Sequence, residues 1–189
     1  ELLTSGLLYR YVACKLIQAK KDTGNIIFIK KIIKKINQNA LKNHKLYSPE
    51  VTDYTSKVAK INKIRKLLRG YQKKFAAKKL VVLEGRDMGV LFPHADIKLF
   101  FKCSLKIAAK RRFKEFKKTN KNITLKNVEK SIKLRNHVDS TRKFSPLRIP
   151  QGAVIVDTTN INKSRMFAKI EKIVESKLLL KYGSKYKAN

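Results

Sequence analysis

The sequence predicts an α/β fold in which a parallel sheet is covered by helices on both faces, so that the domain has three layers. Three short apolar segments, Leu80–Leu83, Ile97–Ser104 and Ala153–Thr159, have the composition of buried strands. Segments with helical periodicity separate them. Alternation of strands and helices favours parallel strands joined by right-handed connections.

The central element is LVVLEGRDMG, residues 80–89. Glu84 follows the apolar run at the strand end where open α/β sheets carry their chemistry. Gly85 and Gly89 bracket Arg86 and Asp87, so the backbone can turn sharply and approach a ligand closely. A guanidinium group suits a phosphate. These ten residues fit equally well a glycine-bounded turn with a local arginine–aspartate pair.

The first part of the chain is predicted to be mainly helical. Thr4 and Ser5 can cap a helix over residues 6–20. Residues 25–46 form either a strand and a helix or one amphipathic helix, and the sequence does not separate the two.

A further helix start is predicted at Ser48, Pro49 and Glu50. This helix should run to about Ala77, and the sequence allows a bend near Asn62. On one continuous helix, Ser56 and Arg65 are nine residues apart and share a face.

The second part of the chain should contain three helices and a polar tail. Ser104 caps a helix that carries Arg111 and Arg112. The lysine-rich residues 114–122 predict a mobile excursion, after which Thr124 can restart a helix. A last helix is predicted over residues 162–180, followed by a disordered tail at 181–189.

On the helix after Thr124, Arg135, Asp139 and Arg142 fall at i, i+4 and i+7, on one face. One interpretation is a solvated ladder of ion pairs, which contributes little to stability. The other is a phosphate clamp in which the aspartate orients two arginines.

Composition bounds the function. The 189 residues fit one domain, and 46 Lys and Arg against 13 Asp and Glu give a net charge of +33. Lysines occur in every segment, which favours a compositional drift over a nucleic-acid function. The arginines number only ten, and each is a candidate for bidentate binding that lysine cannot provide.

Cys14 and Cys103 lack metal or redox spacing, which indicates a reducing cytoplasm. No apolar run is long enough to cross a membrane.

Six motifs together resemble bacterial cytidylate (CMP) kinases, members of the P-loop nucleoside monophosphate kinase group. They are SGLLYR, TSKVAKINKIR, LEGRDMG, AAKRR, RNHVDSTR with the following SPL, and VDTT. The resemblance implies a P-loop NTPase-like fold and a (d)CMP kinase. Such an enzyme transfers a phosphoryl group from ATP to CMP or dCMP with Mg²⁺, giving ADP and the diphosphate.

The resemblance also implies the site. The residues matching positions that bind CMP are Ser5, Arg10, Ser56, Arg65, Arg86, Asp87, Asp139 and Arg142. The arginines matching catalytic positions are Arg86, Arg111, Arg112, Arg135 and Arg142.

Within these sets, Ser56, Arg65 and Asp87 match the positions that read cytosine, and Asp139 matches the one that binds ribose. Glu84 resembles a Walker-B carboxylate that holds Mg²⁺ through water.

The other matches are phosphate contacts. Arg10 matches a position at the phosphate of the monophosphate, Arg86 and Arg142 match phosphate-binding positions, and Arg135 matches a further phosphate-side arginine. Arg111 and Arg112 stand where the mobile lid begins.

The sequence departs from the family pattern at four positions. Thr4 and Glu84 stand where aspartate is usual, and Tyr47 and Val138 stand where arginine is common. No G-x4-G-K-[ST] motif occurs. We therefore expect the sequence to begin inside a longer protein, without the first strand and the phosphate loop, and to be inactive by itself.

The expected organisation is a single kinase domain over residues 1–180. A reduced monophosphate-binding insert occupies about 21–60, and a lid occupies about 111–142. We expect a cytoplasmic monomer whose partners are ATP and CMP or dCMP, without a specific nucleic acid or a membrane. The alternatives are a P-loop kinase for another nucleotide or small metabolite, and a basic nucleic-acid-binding module.

Overall fold

The computed structural model describes residues 1–117 and 122–183. The chain divides into two compact units, Glu1–Gly85 and Arg86–Asn189. Both units combine helices with a pair of parallel strands, which confirms the predicted α/β class.

The first unit contains most of the helices. Its elements are β1 (Leu2–Thr4), α1 (Ser5–Gln18), α2 (Ile26–Lys34), α3 (Gln38–Leu41), a 3₁₀ helix (His44–Tyr47), α4 (Pro49–Val58), α5 (Asn62–Ala76) and β2 (Val82–Glu84). Residues 26–34, left open by the sequence, are helical, and Asn25 caps them by accepting a hydrogen bond from the Phe28 amide at 3.0 Å. The strand alternative is therefore wrong, and the single amphipathic helix is also wrong, because α2, α3 and the 3₁₀ helix divide this stretch.

The core of the first unit lies between α1 and the helices that pack on it. Buried apolar side chains from α1, α2, α4 and α5 form one cluster, which includes Leu8, Val12, Leu16, Ile29, Ile32, Val51, Val58, Ile64, Leu68 and Phe75. Burial of this many apolar side chains is the main stabilising contribution to the unit.

The predicted helix from Ser48 to Ala77 is two helices. Its start is as predicted: Pro49 is the first helical residue, and the Ser48 hydroxyl accepts a hydrogen bond from the Val51 amide at 3.3 Å. However, α4 ends at Val58 and α5 begins at Asn62. The argument that placed Ser56 and Arg65 on one helical face therefore fails, and Ser56 is exposed whereas Arg65 is buried.

Strands β1 and β2 pair in parallel, with Leu2 opposite Val82 and Thr4 opposite Glu84. The strand predicted at residues 80–83 starts later, because Leu80 has a φ of 54° and is 93% exposed. A left-handed φ is incompatible with an extended strand. The central strand is thus less buried in this unit than its apolar composition predicts.

The second unit holds the other two strands. Its elements are α6 (Met88–Leu91), β3 (Leu99–Lys102), α7 (Leu105–Lys117), α8 (Leu125–Thr141), β4 (Val154–Asp157) and α9 (Lys163–Tyr182). Strands β3 and β4 pair in parallel, from Leu99 opposite Val154 to Lys102 opposite Asp157.

The caps of the second unit agree with the sequence. The Ser104 and Thr124 hydroxyls accept hydrogen bonds from the amides of residues 107 and 127, at 3.4 and 3.2 Å. The polar segment 114–122, predicted to be a mobile excursion, is helical up to Lys117. Its residues 118–121 lie outside the described residues. The last helix reaches Tyr182, beyond its predicted end, and residues 184–189 of the tail also lie outside the described residues.

Packing in the second unit is sparser. Its buried apolar cluster consists of Ala109, Val128 and Ile132, with partly buried neighbours such as Phe113 and Phe116. Gly89 lies directly against Pro150: a Cβ atom at residue 89 would be 2.4 Å from the Pro150 Cγ atom. Among the described residues, no helix combines the length and apolar character needed to cross a lipid bilayer.

Candidate functional site

Asp139 on α8 is the centre of a cluster of charged side chains in the second unit. Its Oδ2 atom accepts a hydrogen bond from Nη1 of Arg86 at 2.7 Å, and its Oδ1 atom accepts one from Nη1 of Arg142 at 2.8 Å. The Asp139 side chain is 15% exposed. One carboxylate therefore orients two guanidinium groups, but these belong to Arg86 and Arg142, whereas the clamp interpretation paired Asp139 with Arg135 and Arg142.

Each of the three guanidinium nitrogen atoms of Arg142 has a partner. It follows the last residue of α8, and besides Asp139 it contacts the Ser145 carbonyl, which accepts from Nε at 2.7 Å. Its Nη2 atom lies 3.3 Å from Oδ2 of Asp87. A lysine has one nitrogen and could not make these three contacts together.

Arg135 has a looser place in the cluster. Its Nε atom lies 3.8 Å from Oδ2 of Asp139, and its side chain is 54% exposed. The second close partner of Asp139 is instead Arg86, whose Nη2 atom also donates to Oδ1 of Asn136 at 2.8 Å. Arg135 thus resembles a surface ladder residue in this structure, whereas Arg86 and Arg142 do not.

Two neighbouring arginines of α7 have different environments. Arg111 donates from Nη2 to the carbonyls of Thr158 and Ile161 at 2.6 and 3.1 Å, so it holds the chain that follows β4. Arg112 is half-buried, and its guanidinium carbon is 5.0 Å from the centre of the Phe116 ring. Burial lowers the pKa of Arg112, and the nearby positive charge of Arg86 lowers this pKa further. The carboxylate of Glu115 raises this pKa and so offsets part of the effect.

In the first unit, two predicted site residues lie where α1 meets α5. The Ser5 hydroxyl accepts a hydrogen bond from Nε2 of Gln72 at 2.7 Å, and both side chains are buried. The Arg65 guanidinium carbon lies 5.7 Å from the centre of the Tyr9 ring, and Nη1 of Arg65 donates to the Ala59 carbonyl at 3.3 Å.

Arg10 lies on α1 and points toward the segment that leads into α4. Its Nη1 atom donates to the Leu46 carbonyl and to the Thr52 hydroxyl, each at 2.8 Å. Its guanidinium carbon is 5.5 Å from the centre of the Tyr47 ring, so Tyr47 supports Arg10 by a cation–π contact. Ser56 is exposed on α4.

Glu84 ends β2, and its Oε2 atom accepts a hydrogen bond from the Thr4 hydroxyl at 2.8 Å. The carboxylate is exposed, which suits a contact to Mg²⁺ through water, because Mg²⁺ retains several of its waters. In the part of the chain that the structure describes, no group of three or more Asp, Glu, His or Cys side chains could hold a metal by itself. A single exposed carboxylate is compatible with an ion that keeps most of its water ligands.

Sequence reasoning missed two polar partners of the predicted residues, Asn136 and Gln72. Asn136 follows Arg135 directly, and nothing in the helical pattern distinguishes it from other exposed asparagines. Gln72 carried a usable signal: it follows Arg65 by seven residues, two turns along the same face as the apolar Leu68 and Phe75. A polar residue on a buried helical face is uncommon unless it has a partner.

Comparison with known proteins supports one family. The model of the cytidylate kinase family matches residues 1–176. The cytidylate kinase of Clostridium tetani is 37% identical over 142 residues, which cover 75% of this chain and 63% of that protein. Those of Fusobacterium nucleatum and Thermosipho melanesiensis are 34% and 33% identical, over 92% and 94% of this chain and 84% and 86% of their own lengths. These matches confirm the predicted resemblance and the predicted enzyme class, and the chain belongs to the cytidylate kinase family.

Proposed function

We propose that the protein binds CMP or dCMP as the acceptor of a phosphoryl group from ATP, giving ADP and CDP or dCDP. The observation that carries the proposal is the cluster in which Asp139 orients Arg86 and Arg142 while Asp87 contacts Arg142. Its residues are those that match the family motifs. Family membership supports nucleotide substrates and the use of Mg²⁺ with ATP.

Phosphoryl transfer needs few covalent steps from the protein. Two phosphate-bearing substrates must be held in line while their mutual repulsion is neutralised. Arg86 and Arg142 present rigid forks of donors that match phosphate oxygens. We assign them to the phosphate of CMP, and Asp139 to the ribose hydroxyls.

Asp87 is assigned to the exocyclic amino group of cytosine. That group is a hydrogen-bond donor, and a carboxylate is its natural acceptor. The main-chain position supports the role: Asp87 directly follows Arg86 and precedes α6, so one short loop presents both charges.

The contacts proposed for the first unit follow the same matches. Arg10 binds phosphate, Arg65 and Ser56 read cytosine, and Ser5 completes the nucleotide contacts. The buried positions of Ser5 and Arg65 support a fixed geometry, and the exposed Ser56 has no such support.

The remaining catalytic arginines are ranked by their surroundings. Arg112 lies near Arg86 and has a guanidinium group suited to an anion. Arg111 holds backbone carbonyls, so its part in catalysis requires that it leave them. Arg135 is the most exposed of the cluster and keeps the phosphate-side role that the motif gives it.

For the metal, Glu84 is the residue proposed to hold Mg²⁺ through water. When bound, Mg²⁺ neutralises charge on the phosphates. The Thr4 hydroxyl orients the carboxylate of Glu84 for that contact.

We also propose that this 189-residue chain binds CMP but does not phosphorylate it. Glycine-rich loops hold the transferred phosphates in this reaction class, and the sequence contains no G-x4-G-K-[ST] motif. The P-loop NTPase-like three-layer fold, the insert at about 21–60, the lid at about 111–142, the monomeric state and the cytoplasmic location belong to the same proposal. Two free cysteines, Cys14 and Cys103, agree with a reducing compartment.

The test is a titration of the chain with CMP, dCMP, UMP and AMP by calorimetry. We expect CMP or dCMP to bind most tightly, and Asp87→Ala to weaken CMP binding by about 1–3 kcal/mol while UMP binding changes little, because alanine leaves the cytosine amino group without its acceptor. The matched control is Asp53→Ala, an exposed aspartate on α4. Tightest binding of AMP would favour a kinase of another specificity, and unchanged CMP binding in Asp87→Ala would refute the cytosine contact.

Turnover is measured in a coupled assay on this chain and on an extended protein, in which a strand and a phosphate loop are fused before Glu1. CMP-dependent turnover by the printed chain at the rate of the extended protein would contradict the proposed inactivity.

A further inference from the structure

The buried face of α5 contains two polar side chains among apolar ones. Ile64, Leu68 and Phe75 lie in the core, and the side chains of Arg65 and Gln72 are buried as well. Gln72 is 2% exposed. A buried amide is costly unless it makes hydrogen bonds, so its partner indicates why it is tolerated.

The partner of Gln72 is the hydroxyl of Ser5, the first residue of α1. The amide nitrogen Nε2 donates to Oγ at 2.7 Å, and Ser5 is itself 3% exposed. A serine hydroxyl has one proton to donate and lone pairs with which to accept. Since Ser5 accepts from Gln72, its proton is directed toward another acceptor.

The same helix pair makes a second polar contact. Tyr9 follows Ser5 by one turn of α1, and Arg65 precedes Gln72 by two turns of α5. The Arg65 guanidinium carbon lies 5.7 Å from the Tyr9 ring centre. Helix α5 therefore fixes two of the residues assigned to the nucleotide, Arg65 directly and Ser5 through Gln72.

We propose that Gln72 is a positioning residue that sets the Ser5 hydroxyl as a hydrogen-bond donor to an acceptor atom of the bound cytidine nucleotide. The inference rests on the proposed function and adds to it the direction of one hydrogen bond. Gln72 touches Ser5 and acts through it.

The decisive variant is Gln72→Glu, which keeps the shape of the side chain and replaces the donor by an acceptor. Ser5 then donates to residue 72 and loses its donor for the nucleotide. We expect the Kd for CMP to rise about tenfold, as loss of one hydrogen bond predicts. Gln18→Glu, the same change at an exposed position of α1, should leave the Kd unchanged.

A double-mutant cycle separates this role from simple helix packing. In Ser5→Ala the hydroxyl is absent, so adding Gln72→Glu should weaken CMP binding no further. Losses that add in the double variant, or a wild-type Kd in Gln72→Glu, would overturn the inference.

Two further measurements keep the test decisive. The buried carboxylate of Gln72→Glu could prevent folding, which would be seen as loss of the helical circular dichroism signal. In that case Gln72→Met is used as the test variant instead. Met removes the donor without adding charge, and a Kd rise of about threefold is then expected, whereas no rise would overturn the inference. Failure of the wild-type chain to bind CMP would instead refute the proposed function, on which the inference depends.

Discussion

The two units hold their candidate binding residues by different forces. In Glu1–Gly85, Ser5 and Arg65 are fixed within an apolar core. In Arg86–Asn189, Arg86, Asp139 and Arg142 are fixed mainly by one another, through hydrogen-bonded ion pairs. Apolar packing is not weakened by electrostatic screening, whereas partly exposed ion pairs are. Residues with similar proposed binding roles are therefore held by apolar packing in one unit and by ion pairs in the other.

The helices show the same contrast. Helix α1 has 14 residues and eight of them are buried, whereas α9 has 20 residues and none is buried. The longer helix contributes less apolar burial to its unit. Helix length is thus a poor guide to the part an element has in stability.

The largest expected effect tests the core of the first unit. Leu68→Ala should lower the free energy of unfolding by about 2–5 kcal/mol, because it leaves a cavity among fully buried side chains. Leu134→Ala is the matched control on exposed surface of α8, with an expected change within about 0.5 kcal/mol. Urea denaturation followed by circular dichroism measures both, and equal losses would contradict the contrast between the units.

A smaller effect tests the charged cluster of the second unit. Arg142→Lys should raise the Kd for CMP about tenfold, because lysine keeps the charge but cannot contact Asp139, Asp87 and Ser145 together. Arg135→Lys should change it less than about threefold, since Arg135 is exposed and lies farther from Asp139. Calorimetric titration at low salt compares the two variants, and identical losses would favour a ladder of equivalent surface charges.

The smallest effect concerns α9 and pH. Hydrogen bonds from Lys181, and then from Tyr182, lower the pKa of Asp96 below its ordinary 3.8. A carboxyl group whose pKa is lowered by folding stabilises the folded state at pH values above the pKa of the unfolded chain. This contribution is lost as the pH falls through the lower pKa of the folded state. Asp96→Asn should thus lower the Tm by about 1–4 °C at pH 7, and by less at pH 3. A deficit that grows toward pH 3 would contradict this.

Local features of the fold were predictable from the sequence. The helix caps at Ser48 and Thr124 were predictable because each needs only a side-chain hydroxyl that accepts a hydrogen bond from the amide three residues later. Strand positions followed from apolar runs, although their burial did not, because it depends on which surfaces cover the strands. The sequence allowed a bend near Asn62, where α5 begins, but it did not predict a complete break between α4 and α5, since residues 59–61 contain neither proline nor glycine.

The family, and with it the list of candidate residues, also followed from motif order and spacing. Their partners did not. The contact of Arg86 with Asn136 spans 50 positions and that of Gln72 with Ser5 spans 67, so each exists only after the chain has folded. Sequence spacing is informative within a helix and loses that value across tertiary contacts.

The contact of Gly89 with Pro150 has a consequence for sequence variation. Because a Cβ atom at residue 89 would overlap the proline ring, a side chain there would force apart helix α6 and the segment before β4. The two positions are then expected to constrain each other through evolution. A chain that acquired alanine at 89 could restore the fit by replacing Pro150 with a residue that lacks the ring, whereas either change alone would leave an overlap or a gap.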